Sequence, residues 1–223
     1  MLELLFIILA SYLLGSFPTG VIAGKLTRGI DIRSQGSGNT GATNSFRVLG
    51  WKIGFAVAFV DMAKGFIAVA LLTRIDIFNG STFPYATLPY SARFIAATLA
   101  AVLGHIKPVF AGFKGGKGFG TAAGAISAAY PLLALPCLVV FGLTLVLSGY
   151  VAVCAAITSF ALPFLYLLST QYFNVSWDPA IFIFFFLAFL LTIVMMRKKL
   201  RLFMQGKAEL FTKVMLFKPK KLD

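Results

Sequence analysis

Three glycines and five hydroxyl or amide side chains are packed into Gly36-Ser37-Gly38-Asn39-Thr40-Gly41-Ala42-Thr43-Asn44, and Arg47 follows three positions later. Glycine leaves backbone N–H groups unobstructed, and successive N–H groups can form a concavity that takes an anion. Arginine adds a planar fork of donors matched to phosphate oxygens. A second stretch, GHIKPVFAGFKGGKGFG from Gly104 to Gly120, sets Lys114 and Lys117 among Gly112, Gly115, Gly116, Gly118 and Gly120. Both stretches have the composition of anion sites. A flexible linker would not need Asn39, Thr43, Asn44 and Arg47 beside its glycines, so a binding pocket is the better reading of the first.

Two familiar nucleotide patterns fail here. Gly36, Gly38 and Gly41 match G-x-G-x-x-G, with Asp61 at the distance expected of a ribose-binding acid, but that fingerprint has meaning only between a strand and a helix of a βαβ unit. The flanks of this stretch are long apolar runs. The second stretch does not fit G-x-x-x-x-G-K-[ST], which disfavours a nucleoside triphosphatase. A cofactor is not expected, and neither is a metal. The chain has one histidine, His105, and two separated cysteines, Cys137 and Cys154, inside apolar runs. A structural zinc site normally needs four ligands, and a thiol in such a run acts as a small hydrophobe. A lone histidine at a helix end ordinarily serves structure, although His105 stands just ahead of the second glycine-rich stretch.

The elements that must position these loops are membrane helices. Of 223 residues, 59% are hydrophobic and 12% charged, about half the charged share of a soluble domain. Apolar runs of nearly the length that crosses a bilayer fall at Leu4 to Gly24, Ile53 to Thr73, Phe94 to Phe110, Pro131 to Ser148, Tyr150 to Ser169 and Pro179 to Met196. The N-terminus lacks a basic n-region, so the first run reads as a retained helix. The net charge of +13 is explained by placement and not by nucleic acid. Seventeen of the 20 Lys and Arg lie in the two loop regions and the tail. Putting all three on the cytoplasmic side requires an odd number of crossings. Phe119 to Tyr130 therefore serves as a short seventh helix, with the N-terminus outside and the C-terminus cytoplasmic. The expectation is one all-α polytopic domain spanning residues 1–223. Within its second span, Asp61 and Lys64 lie three apart on one helical face, where each offsets the other's desolvation. Ionised groups at that depth suggest function.

Together, Gly15-Ser16, GSGNTGATN with Arg47, Asp61-x-x-Lys64-Gly65, GHIKPVF and FKGGKG resemble the bacterial acyl-phosphate:glycerol-3-phosphate acyltransferase family over most of the first 120 residues. The resemblance implies a bundle of about seven spans. It implies transfer of a fatty acyl group from acyl phosphate to the 1-hydroxyl of glycerol 3-phosphate, giving lysophosphatidic acid and phosphate, the first step of phospholipid synthesis. It implies an inner-membrane enzyme with a cytoplasmic active site, surrounded by membrane lipids and monomeric. By similarity, Ser37 and Arg47 are the leading catalytic candidates. Gly36, Gly38, Asn39, Gly41, Thr43 and Asn44 line the first motif. Lys114, Gly115, Gly116, Lys117 and Gly118 form a site for the phosphate of glycerol 3-phosphate, and His105 is a candidate proton acceptor.

The chain departs from the family's third block, which places a His and an Asn ahead of Arg-Leu and Gly-x-Glu. Here the corresponding segment is RKKLRLFMQGKAE, Arg197 to Glu209, with neither. Another acyltransferase class carries H-x-x-x-x-D, but Phe110 stands five residues after His105. A second reading of the same loops is a transporter or binding protein for a small organic phosphate. Transporters often show repeated halves, and no internal repeat is visible.

Overall fold

The computed structural model describes residues 2–73, 88–211 and 215. Arg74 and the tail residues Lys213, Lys218, Lys220 and Lys221, which entered the charge argument, lie outside the described residues. Every regular element among the described residues is a helix, and they cluster into two compact units, residues 1–131 and 132–223. Among the described residues, six helical segments are long and apolar enough to cross a membrane.

In the first unit, the expected single span from Leu4 to Gly24 is two helices, α1 (Leu2–Gly15) and α2 (Thr19–Arg28). Proline explains the difference. Pro18 has no N–H to continue the ladder and disfavours helical geometry at Phe17. The Ser16 hydroxyl donates back to the Tyr12 carbonyl at 2.8 Å, and the Phe17 carbonyl is left free of an α-helical partner. α2 then ends at Gly29, whose φ of +66° lets its N–H and that of Ile30 close on Lys25 and Gly24.

The remaining helices of this unit are α3 (Ala42–Val48), α4 (Trp51–Ala70), α5 (Tyr90–Ile106) and α6 (Phe119–Ala129). They pack through glycines. A Cβ at Gly15 would strike the Ala101 carbonyl, and one at Gly104 would strike that of Tyr12. On the other pair, Gly65 abuts the Thr121 carbonyl and Gly124 that of Met62. Such close approach takes the place of a hydrophobic driving force between helices in lipid. The first pairing also fixes direction: Glu3 meets Arg93 at 3.5 Å while Gly15 meets Ala101, so α1 and α5 run parallel. α6 has 11 residues, about 16 Å at 1.5 Å per residue. Tyr130 and Pro131 end it where the sequence predicts a turn.

The second unit holds α7 (Pro131–Ser148), α8 (Val151–Tyr172) and α9 (Pro179–Met204). Tyr166 pins the α8–α9 turn: its hydroxyl accepts from the Asp178 N–H at 2.9 Å and donates to the Ser176 carbonyl at 3.1 Å. α9 runs eight residues past the expected Met196, so Arg197, Lys198, Lys199 and Arg201 sit on its last turns. Cations there complement the negative end of the helix dipole.

Candidate active site

The first glycine-rich loop is organised by Asn44, only 1% exposed. Its Oδ1 accepts the Ser37 N–H at 2.9 Å, and its Nδ2 donates to the carbonyls of Gln35 at 3.0 Å and Ile32 at 3.3 Å. Gly36 and Gly38 take φ of +57° and +70°, which an L-residue rarely adopts. Gly36 also lies so close to the Asn44 amide that a Cβ would displace it. Asn39 adds a local turn, its Oδ1 accepting the Gly41 N–H at 2.8 Å. Below the loop, Val21, Ile32 and Leu49 form a small apolar core. Ser37 is exposed, Thr43 is half-buried, and Arg47 is exposed on the last turn of α3.

Asp31 and Arg33 join this loop to the second one. Asp31 accepts from the Arg33 backbone N–H at 3.0 Å and takes its guanidinium fork at 2.6 to 3.1 Å. The other arm, Nη1, reaches the Ala111 carbonyl at 2.7 Å. The hydrogen-bonded guanidinium holds the Asp31 carboxyl down, from an ordinary 3.8 to about 2, and the carboxylate raises Arg33 in return.

The second loop leaves α5 at His105 and folds back on it. The Gly116 N–H donates to the His105 carbonyl at 3.0 Å. A Cβ at Gly115 would strike that carbonyl, and one at Gly116 would strike His105 Nε2. Gly112 and Gly118 take φ of +60° and +79°, and Gly118 precedes the first turn of α6. Lys114 is exposed and Lys117 half-buried. The Tyr12 hydroxyl fastens the start of this loop through the Lys107 carbonyl at 2.8 Å.

Behind the loops lies a buried polar cluster. Asp61 Oδ1 receives Lys64 Nζ at 2.9 Å, both side chains being under 10% exposed, and the Thr19 hydroxyl at 3.0 Å. Lys64 also donates to the Phe17 carbonyl at 3.2 Å, the group freed by the break before Pro18. His105 Nδ1 lies 3.6 Å from Asp61 Oδ1 and 3.2 Å from Thr121 Oγ1. A small cleft opens onto Asp61, Lys64, His105, Thr19 and Thr40.

Of the residues singled out from the sequence, Asp61, Lys64 and His105 line this cleft; Ser37, Arg47, Lys114 and Lys117 sit on the two loops and α3 and are not among its lining residues. Sequence reasoning left Asp61 and Lys64 as an isolated pair and missed Thr19, Thr40 and Thr121. Two charges three apart inside a span were the available signal; the threonines gave none. The third block, Arg197 to Glu209, belongs to the second unit.

A family model described as glycerol-3-phosphate acyltransferase matches residues 5–206. Glycerol-3-phosphate acyltransferases of Chlorobium limicola and Chlorobium phaeobacteroides strain BS1 are 45% and 47% identical to the chain, each alignment covering 73% of this chain and 69% of the relative. The fold is similar to the crystal structure of PlsY (YgiH), an integral membrane glycerol 3-phosphate acyltransferase, in its glycerol 3-phosphate form. That likeness has a TM-score of 0.74 and 33% identity over 93% of this chain and 95% of the other. The lysophosphatidic acid form of the same protein gives a TM-score of 0.73 at 31% identity, covering 93% of this chain and 94% of that one.

Proposed function

The chain belongs to the glycerol-3-phosphate acyltransferase family, and from that premise we propose that it moves a fatty acyl group from acyl phosphate to the 1-hydroxyl of glycerol 3-phosphate. The products are lysophosphatidic acid and inorganic phosphate. The observation that carries this reading is the pair of glycine-rich basic loops, clasped by Arg33 at 2.7 Å to Ala111, at one end of a membrane-helix unit. Two substrates that each carry phosphate need two neighbouring anion sites.

Acyl phosphate is a mixed anhydride with an anionic leaving group, so positioning and oxyanion stabilisation can supply much of the rate. In the proposed reaction the glycerol hydroxyl oxygen bonds to the acyl carbon, phosphate departs with the carbon–oxygen bonding pair, and the hydroxyl proton passes to His105 or to a substrate phosphate oxygen. Lys114 and Lys117, with Gly115, Gly116 and Gly118, hold the phosphate of glycerol 3-phosphate. Ser37 contributes its hydroxyl to the developing oxyanion, because its N–H is engaged by Asn44. Arg47 supplies a bidentate phosphate contact. Asn39 and Asn44 shape the loop from within, since both amides are engaged by its backbone. Gly36, Gly38, Gly41 and Thr43 complete that pocket.

Seven crossings with a cytoplasmic site in the bacterial inner membrane complete the proposal. The parallel sense of α1 and α5 supports the alternation. The family match across both compact units supports a single acyltransferase domain. Purified protein incubated with acyl phosphate and glycerol 3-phosphate should release phosphate and form lysophosphatidic acid. Turnover of acyl-CoA without turnover of acyl phosphate would overturn the donor assignment.

A further inference from the structure

His105 is the chain's one histidine, and its ring is held by polar groups on one edge and packed against glycine backbone on the other. On the polar edge, Nδ1 faces Asp61 Oδ1 at 3.6 Å and Thr121 Oγ1 at 3.2 Å. The carboxylate oxygen is fixed in turn by Lys64 Nζ at 2.9 Å and the Thr19 hydroxyl at 3.0 Å. Lys64 is anchored on the Phe17 carbonyl at 3.2 Å. Thus α2, α4 and α6 converge on one oxygen and one ring nitrogen, and the break before α2 anchors the lysine. On the other edge, Nε2 lies so close to the Gly116 backbone that a Cβ there would collide with it, and the Gly116 N–H is engaged by the His105 carbonyl at 3.0 Å, so it leaves the ring nitrogen to another donor.

A neutral imidazole carries one N–H and one lone pair, and the partner of one nitrogen decides the role of the other. A lone pair on Nδ1 would confront an anionic oxygen; an N–H there is attracted to it and can be accepted by the Thr121 hydroxyl. The charged groups facing the ring are Asp61 and Lys64 from α4; α6 contributes the Thr121 hydroxyl at the ring and α2 the Thr19 hydroxyl on the carboxylate. We infer that Asp61, held in place by Lys64 and Thr19, fixes His105 as the Nδ1–H tautomer and so leaves Nε2, beside the glycine-rich loop on a residue that lines the cleft, as the ring's hydrogen-bond acceptor. Asp61 and Lys64 are then positioning residues. This inference rests on the proposed function for its consequence: an acceptor at that place orients the glycerol hydroxyl, or takes its proton, while the loop holds the phosphate.

Because there is a single histidine, ring-15N labelling of protein purified with a histidine-free tag gives one resolvable pair of NMR signals. The expected spectrum shows Nδ1 protonated and Nε2 bare; the opposite tautomer, or two protonated nitrogens, overturns the inference without any variant. Asp61→Asn combined with Lys64→Gln removes the pair while leaving no unmatched buried charge. It should insert as wild type, lose the fixed tautomer, and lower kcat/KM for glycerol 3-phosphate roughly ten- to a hundred-fold, the range expected from one charged hydrogen bond. Thr121→Val should keep the Nδ1–H signal, since the carboxylate remains. A double variant with the wild-type spectrum and wild-type kcat/KM refutes the positioning role. Wild-type protein inactive with acyl phosphate, yet showing the Asp61-dependent tautomer, overturns the proposed reaction and leaves the positioning intact.

Discussion

Arg33 is the most informative residue to change, because one side chain spans 78 positions of sequence to reach Ala111 while forking onto Asp31. Arg33→Lys preserves the charge but supplies a single point donor, which cannot satisfy the Asp31 carboxylate and the Ala111 carbonyl together. The side chains of Arg33 and Asp31 are 29% and 36% exposed, so the charged bond is screened. Its net worth falls at the low end of the charged range, about 1 kcal/mol. If that energy holds the two loops in register for phosphate, losing it raises the KM for glycerol 3-phosphate about five-fold and leaves kcat within about two-fold. Initial rates of phosphate release in detergent solution, with glycerol 3-phosphate varied at saturating acyl phosphate, measure both. The clasp should also be indifferent to pH over the usual assay range. The folded Asp31 pKa is depressed from 3.8 to about 2, so its contribution is fully present above 3.8 and is lost only as pH falls through about 2. Unchanged KM in both Arg33→Lys and Arg33→Ala would show that the loops keep their register without it.

Gly116→Ala drives a methyl group into His105 Nε2 and should raise the KM for glycerol 3-phosphate well beyond the Arg33 effect, with insertion preserved; an alanine variant with wild-type KM means the loop does not rest on the ring in the working enzyme. Asn44→Ala strips three hydrogen bonds from the first loop, each buried group left unpaired costing about 1–3 kcal/mol, so thermal unfolding in detergent should shift down and activity should be lost; a wild-type melting curve would relocate the loop's stability elsewhere.

Membership of the helical class was legible because apolar run length and the distribution of basic residues answer to one solvent, the bilayer, and need no tertiary information. The two loops were legible for a related reason: positive-φ glycines and interleaved amides are local requirements, written where they act. Asn44 shows the limit. Its residue type marked it as polar machinery, but whether an amide faces a ligand or the loop's own carbonyls depends on the backbone path from Ile32 to Ser37, which no spacing encodes. Thr19 and Thr121 show a deeper limit. Neither differs in sequence from a threonine that bonds its own helix; they reach Asp61 and His105 only because α2, α4, α5 and α6 converge, and that convergence is set by glycine contacts such as Gly65 on Thr121 and Gly20 on Thr40.

The break before α2 and the charged pair in α4 explain each other. A proline at 18 interrupts a membrane helix, and the Phe17 carbonyl, which takes the Thr19 N–H at 3.0 Å in place of a helical partner, has a second lone pair for another donor. A lysine at 64 in an apolar span is costly because it has donors and no water. The two meet at 3.2 Å, and Asp61 neutralises the remaining charge from one turn away. Thr19, the first residue after the break, then completes the carboxylate's coordination at 3.0 Å. Removing only Pro18 from this arrangement would let α1 run on toward α2, pair the Phe17 carbonyl within the helix and strip Lys64 of its second acceptor. The irregular backbone at the end of α1 is therefore part of the same device that holds the histidine, and Phe17, Pro18 and Thr19 line the cleft together with Asp61, Lys64 and His105.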